Sequence, residues 1–142
     1  MAGNGILSHR SGAIAELQAQ MWYLKNGYDI FTPISPQSKC DFIAVSGKDF
    51  IKVQVKKASN NPTRFGTYLQ VRLQGKATPF GVREYTEEDF DELFITHDVG
   101  MWRIPFEEVK DKKSFTFGKL LEDNSVVTGN RSTVDTGKYK VE

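Results

Sequence analysis

An acid at the entry to an apolar run, Asp41, is followed across a short turn by the triplet Gln54-Val55-Lys56. Together these residue types suit metal-assisted hydrolysis of a phosphodiester. Residues two apart on a pleated strand project from one face, so Gln54 and Lys56 point the same way, and an adjacent hairpin strand can set Asp41 beside them. A hard divalent cation takes oxygen ligands. The Asp41 carboxylate, the Gln54 amide oxygen and the Val55 main-chain carbonyl could supply them, leaving positions for water and a phosphate oxygen. Lys56 would then face the bound water, orienting the nucleophile, favouring its deprotonated form and offsetting charge that builds on the phosphate. Glu16, beside the apolar row of an upstream helix, is placed to reach the same cluster as a further metal ligand or as a partner to the ligands. Spacing alone leaves other roles open: an Asp at a strand start is often a turn cap, a Gln/Lys alternation is often the wet face of a sheet, and a helix acid is often solvated.

The elements that must position these residues are legible in the hydrophobic pattern. Residues 11–26 (SGAIAELQAQMWYLKN) place Ile14, Leu17, Met21 and Leu24 at helical spacings, and Gly27 is a natural stop, which predicts an amphipathic helix. Residues 28–34 (YDIFTPI) read as a strand bounded by Pro33 and Pro36, with Gln37-Ser38-Lys39 as a turn. The run CDFIAVSG suggests a strand covered on both faces, and Gly47-Lys48-Asp49 turns the chain into residues 50–57, where Ile51, Val53 and Val55 alternate with Lys52, Gln54 and Lys56. Residues 59–64, with Asn60-Asn61-Pro62, read as a loop. Residues 67–74 form another alternating strand, with Leu69, Val71 and Leu73 inward and Tyr68, Gln70 and Arg72 outward. Residues 75–81 read as a connection, and the acidic residues 84–91 as a possible helical turn before a strand at Leu93-Phe94-Ile95-Thr96. A further short strand spans 99–104, and Pro105 with Glu107 and Glu108 has the look of a helix start.

With 142 residues the chain is one domain with room for a core. Mean hydropathy of -0.44 and the absence of any long apolar run argue against a membrane protein. The Gly- and Ser-rich start is unlike a secretory signal, so the expected compartment is cytoplasmic. One cysteine, Cys40, and two separated histidines, His9 and His97, exclude disulfide scaffolds and Cys/His zinc sites. Cys40, His97, Trp22 and Trp102 are assigned to packing. Asn130-Arg131-Ser132 matches a glycosylation sequon but has no meaning without a secretory context. The net charge is only +1, yet from Lys39 to Arg83 nine basic residues face just Asp41 and Asp49, and the next stretch is acidic. A basic section of this kind either offers phosphates a docking face or marks solvated strand edges.

The ordered pattern Gly12-x-x-Ala15-Glu16, Tyr23-Leu24-x-x-Gly27-Tyr28-x-Ile30, Pro33, Asp41-Phe42-Ile43-Ala44-Val45 and Val53-Gln54-Val55-Lys56-x-Ala58 resembles the PD-(D/E)XK nuclease superfamily. Within it the chain is similar to the small group I intron homing endonucleases and their relatives, the Holliday junction resolvases. Tyr85-Thr86-Glu87-Glu88-Asp89-Phe90-Asp91, an apolar strand and Ile104-Pro105 resemble the intron-type branch in particular. The likeness spans roughly residues 10 to 110.

The resemblance implies an α/β (α+β) fold with a mixed central sheet flanked by helices. It matches Glu16, Asp41, Gln54 and Lys56 to the positions used for metal binding and catalysis, with Asp41, Gln54, Val55 and Glu16 as the metal-ligand set. The implied cofactor is Mg²⁺, with Mn²⁺ as substitute, and the implied substrate is duplex or branched DNA in a prokaryotic or phage-infected cell. After Leu121 the sequence turns polar, which predicts a nuclease domain, 1–121, and a polar extension, 122–142, that orders only against a partner. Two strands must be cut, which calls for a homodimer or homotetramer. One position departs from the pattern: Gln54 replaces the acid of the triplet, weakens the ligand set and leaves the number of metals open.

For DNA contact the expected residues are Lys57, Ser59, Asn60, Arg64, Arg72 and Lys76, with Tyr68 and Gln70 on the strand face of Arg72. The expectation is a metal-dependent endonuclease, closer to the homing type than to a junction resolvase. The rival from another class is a DNA-binding module that has lost its chemistry.

Overall fold

The computed structural model describes residues 3–35, 38–73, 77–78, 81–82 and 85–142. Its centre is a six-stranded mixed sheet in the order β1-β2-β3-β8-β9-β12. These strands are β1 (Asp29–Phe31), β2 (Phe42–Ser46), β3 (Asp49–Lys57), β8 (Glu92–His97), β9 (Gly100–Pro105) and β12 (Lys140–Val141). Only β3 and β8 run parallel, with Val55 opposite Phe94; the other neighbours are antiparallel. A second sheet, β11-β10-β5-β4, is built from β4 (Ser59–Thr63), β5 (Gly66–Arg72), β10 (Ser114–Leu120) and β11 (Val126–Val127). Two short strands, β6 (Ala77–Thr78) and β7 (Gly81–Val82), pair with each other within the expected connection. Helix α1 (Gly3–Lys25) packs on the central sheet, and the short helices α2 (Phe106–Val109) and α3 (Thr136–Tyr139) follow β9 and β11. The mixed sheet with flanking helices agrees with the expected fold. Among the described residues no helix is long and apolar enough to cross a membrane.

The β2–β3 hairpin that carries the chemistry closes as its sequence dictates. Ser46 pairs with Asp49, and Gly47 takes φ +60° at the first turn position, where positive φ favours glycine. Helix α1 also ends where expected. Gly27 (φ +89°) lets Tyr28 N–H reach the Tyr23 carbonyl at 3.0 Å while its own N–H meets the Leu24 carbonyl at 3.2 Å, the double bond of a Schellman cap.

The inward face of α1 is not the one its large apolar residues predict. Ala15, Ala19 and Tyr23, spaced by four, are the buried row and pack against Phe42, Ala44, Val53, Val55 and Phe94. Ile14, Leu17, Met21 and Leu24 lie on the opposite side, 54–61% exposed. Alanine brings the helix close to the sheet, and the volume that leucines would fill is already occupied by sheet aromatics and Tyr23. The helix also begins at Gly3, well before residue 11, running through Gly12, which weakens a helix only modestly.

Other expectations are corrected as well. The strand expected over 28–34 is limited to Asp29–Phe31. Residues 59–63, expected as a loop, form β4, whose edge position tolerates Pro62. The expected turn in the acidic stretch is present at residues 86–89, tied by Thr86 N–H to Asp89 Oδ2 at 2.7 Å. Tyr68, expected to point outward, is 3% exposed because the backbone at Gly129 lies over its ring. The stretch expected to order only against a partner folds back on the body: β11 pairs with β10, β12 pairs with β9, and Val134 and Thr136 are buried. Its reach across both sheets supplies apolar burial that a polar composition conceals. Part of the Gln37-Ser38-Lys39 turn, and Lys76, lie outside the described residues.

Candidate active site

Just before the first pair of the β2–β3 ladder, Asp41 sits opposite Gln54. Its N–H donates to the Val53 carbonyl at 2.8 Å, and its carboxylate then turns into the plane of the sheet to accept the Val55 N–H at 2.7 Å. The N–H and C=O of one strand residue point to the same side, so the Val55 carbonyl also faces this edge. Val53 and Val55 pack toward α1, which leaves Gln54 and Lys56 on the other face of the sheet. From the plane between the two faces, Asp41 is within electrostatic reach of Glu16 on the helix side and of Lys56 on the other. The four residues singled out in the sequence are thus brought to one sheet edge by the hairpin and α1.

The charges here are held uncomfortably. Burial pushes the Asp41 carboxyl above its ordinary range, against the opposing pull of the Val55 N–H and the Lys56 charge. Burial raises Glu16 too, and the Asp41 charge adds to the effect. Burial lowers Lys56, and Asp41 only partly restores it. Gln54 is 7% exposed. Among the described residues no group of three or more His, Cys, Asp or Glu could hold a metal. A cation here must therefore draw on Gln54 or on the Val55 carbonyl besides the two carboxylates. The donor set fits a hard divalent ion: all ligands are oxygens, and a positive charge would relieve the repulsion between Glu16 and Asp41.

One participant was missed in the sequence. Tyr85 lies with its ring centre 5.7 Å from Lys56 Nζ, and burial together with Asp41 and Asp89 raises its hydroxyl's pKa. The turn tied by Asp89 delivers it, and Lys39 Nζ lies 3.6 Å from the Asp89 carboxylate. No local signal marks Tyr85, because its place depends on β8 pairing alongside β3. Of the expected DNA contacts, Lys57 is exposed and donates to Ser11 Oγ at 3.2 Å, beside α1. Ser59 Oγ donates to the Gln70 carbonyl, and Arg72 is exposed at the end of β5. Asn60 bonds His97 at 2.8 Å, so His97 is a half-buried polar partner, not a packing residue.

A second charged cluster occupies the α1 side of the same sheet. Arg103 on β9 meets Glu92 on β8 with Nε at 2.9 Å and Nη2 at 3.2 Å, and Tyr23 OH hydrogen bonds the same carboxylate. The guanidinium lies over Trp22 and Tyr23, 4.8 and 5.1 Å from their ring centres. Burial alone would lower the Arg103 pKa, but the Glu92 bonds and charge, with Tyr23, hold it above its ordinary range.

The chain belongs to the PD-(D/E)XK endonuclease family, whose model matches residues 6–132. It is 37% identical over 111 residues to Protein 5.3 of Escherichia phage T7, an alignment covering 78% of this chain and 91% of that protein. In fold it is similar to a bacterial homing endonuclease, I-Ssp6803I, with a TM-score of 0.66 at 19% identity, covering 91% of this chain and 85% of the other.

Proposed function

We propose that the chain is a DNA endonuclease dependent on Mg²⁺, or on Mn²⁺ in its place, and that it cuts duplex DNA at a specific site in the manner of a homing enzyme. The reading is carried by one observation: Asp41, fixed by the Val55 N–H at 2.7 Å beside the β2–β3 hairpin, is within electrostatic reach of both Glu16 and Lys56. Asp41, Glu16, Gln54 and the Val55 carbonyl would hold the cation, which supplies Lewis acidity and an acidified water when bound. Lys56 orients that water for in-line attack and offsets charge on the phosphate. Tyr85, against the lysine's ammonium, limits where it can swing. The homing type is favoured over the junction resolvase by the fold likeness to a homing endonuclease.

Two strands require two sites, and the exposed row Ile14, Leu17, Met21 and Leu24 supports self-association as a homodimer or homotetramer. The row has the 3-4-3 spacing of a helix–helix seam, bordered by the uncharged Ala13, Gln18 and Gln20, with Arg10 and Lys25 toward its two ends. Light scattering on the wild type and on Leu17→Glu tests this: a wild-type oligomer that the variant dissociates is expected, and a monomeric wild type contradicts it. For the function, Mg²⁺-dependent cleavage of a labelled four-way junction is compared with matched linear duplex and a genomic-library screen. An uncut junction with discrete library sites, both silent in Lys56→Ala, is expected. Symmetric cutting of the junction alone would make the protein a resolvase instead.

A further inference from the structure

Two tight turns from distant parts of the chain meet at one corner of the second sheet, each with an arginine at its apex. The first, between β4 and β5, presents Arg64 and Phe65, and Thr63 Oγ1 locks it by donating to the Gly66 carbonyl at 2.8 Å and accepting the Phe65 N–H at 3.1 Å. The second presents Asn130 and Arg131, closed by Gly129 N–H to Ser132 Oγ at 2.9 Å and Ser132 N–H to the Gly129 carbonyl at 3.0 Å. Gly129 seats this turn on Tyr68, where an added Cβ would lie 2.8 Å from the tyrosine hydroxyl. Both guanidiniums lie 4.9 Å from the centre of the half-exposed Phe65 ring. Lys119 crosses Gly66, where φ is +121°. A cavity of about 350 Å³ opens here, lined by Phe65, Tyr68, Lys119, Asn130 and Arg131, with no carboxylate in its wall.

We propose that this corner is a second DNA contact, gripping backbone phosphates of the duplex away from the position that is cut. The assignment of DNA as the ligand rests on the nuclease reading above. Three cations gathered with no carboxylate among the described residues lining the cavity repel one another, and the Phe65 ring offsets only part of that cost, so an anion completes the site. Arginine forks match phosphate geometry, and the hydrogen-bonded turns hold the forks in place before the ligand arrives. The location favours DNA over a small free anion. Strand β3, which carries Lys56, runs through Ala58 into β4 and ends at this tip, with Arg64 eight residues beyond Lys56. At about 3.3 Å per residue the two are at most about 26 Å apart. One face of the duplex therefore reaches the corner within about eight base pairs of the cleaved phosphate.

The test is binding of a labelled duplex of about 40 base pairs in EDTA, followed against salt concentration. Arg64→Gln/Arg131→Gln should weaken binding at least tenfold and flatten the log K against log salt slope by about 2, with Arg131→Gln alone contributing about half of that change. A wild type that binds while both variants match it in affinity and slope overturns the proposal. A wild type that binds no DNA overturns the nuclease reading itself, and the proposal falls with it. Thermal unfolding checks the fold of the double variant; should it not fold, the slope of Arg131→Gln decides.

Discussion

Two clusters of charge are built into the same sheet, and they are resolved in opposite ways. Around Glu92, every charged group has its partner: Arg103 forks onto the carboxylate, Tyr23 adds a third hydrogen bond, and aromatic rings cover the guanidinium. Around Asp41, burial works against the charged form of Asp41, Glu16 and Lys56 alike, and the two carboxylates repel. The first arrangement ties β8, β9 and α1 together. The second leaves like charges without a counter-ion, which on the proposed reading a bound cation supplies. The contrast separates a structural ion pair from a site: paired charge is architecture, and charge held at a cost at an open edge is chemistry.

The comparison can be broken most forcefully at Lys56 and Asp41. Lys56→Ala and Asp41→Asn should each reduce metal-dependent plasmid nicking by about 10³-fold or more, while DNA binding in EDTA persists. Arg103→Leu should do the reverse. It leaves the half-buried Glu92 with only the Tyr23 hydroxyl as partner and should cost about 2 kcal/mol in denaturant unfolding, with nicking per folded molecule unchanged. A smaller effect sharpens the contrast through pH. The Asp41 carboxyl is raised above its ordinary 3.8 in the folded state, so the fold binds its proton more readily than the unfolded chain does, and stability falls as pH rises through that range. Asp41→Asn keeps an acceptor for the Val55 N–H without the charge. Its melting temperature should therefore exceed that of the wild type by a margin that widens from pH 4 toward pH 7, and saturating Mn²⁺ should close the gap by stabilising only the wild type. The smallest change is at Tyr85: Tyr85→Leu should slow nicking about two- to fivefold, and Tyr85→Phe, which keeps the ring under Lys56, should stay near wild type.

Local chemistry was readable where local rules decide the outcome. Alternation across Ile51 to Lys56, the turn at Gly47 and the cap at Gly27 each rest on a few neighbouring residues, so the hairpin edge carrying Asp41, Gln54 and Lys56 follows from sequence. What escaped depends on distant partners. The buried face of α1 was chosen by the sheet aromatics, which favour the close approach of Ala15 and Ala19 over the bulk of Leu17 and Met21. Tyr85 reaches Lys56 only through the parallel pairing of β3 with β8. Tyr68 is covered, and Arg131 is brought to Phe65, by a polar tail whose return to β10 no nearby residue announces. The Asn-Asn-Pro run of β4 reads as loop because an edge strand needs hydrogen bonds on one side only.

The most direct test is nicking of supercoiled plasmid with Mg²⁺ or Mn²⁺ by the wild type, Lys56→Ala and Tyr23→Phe, the last removing one bond from the Glu92 cluster. Nicking by the wild type and Tyr23→Phe but not by Lys56→Ala is the predicted result. Equal cutting by Lys56→Ala, or a wild type that leaves plasmid, linear duplex and four-way junction intact with both metals, would contradict the assignment of the Asp41 cluster as the active site.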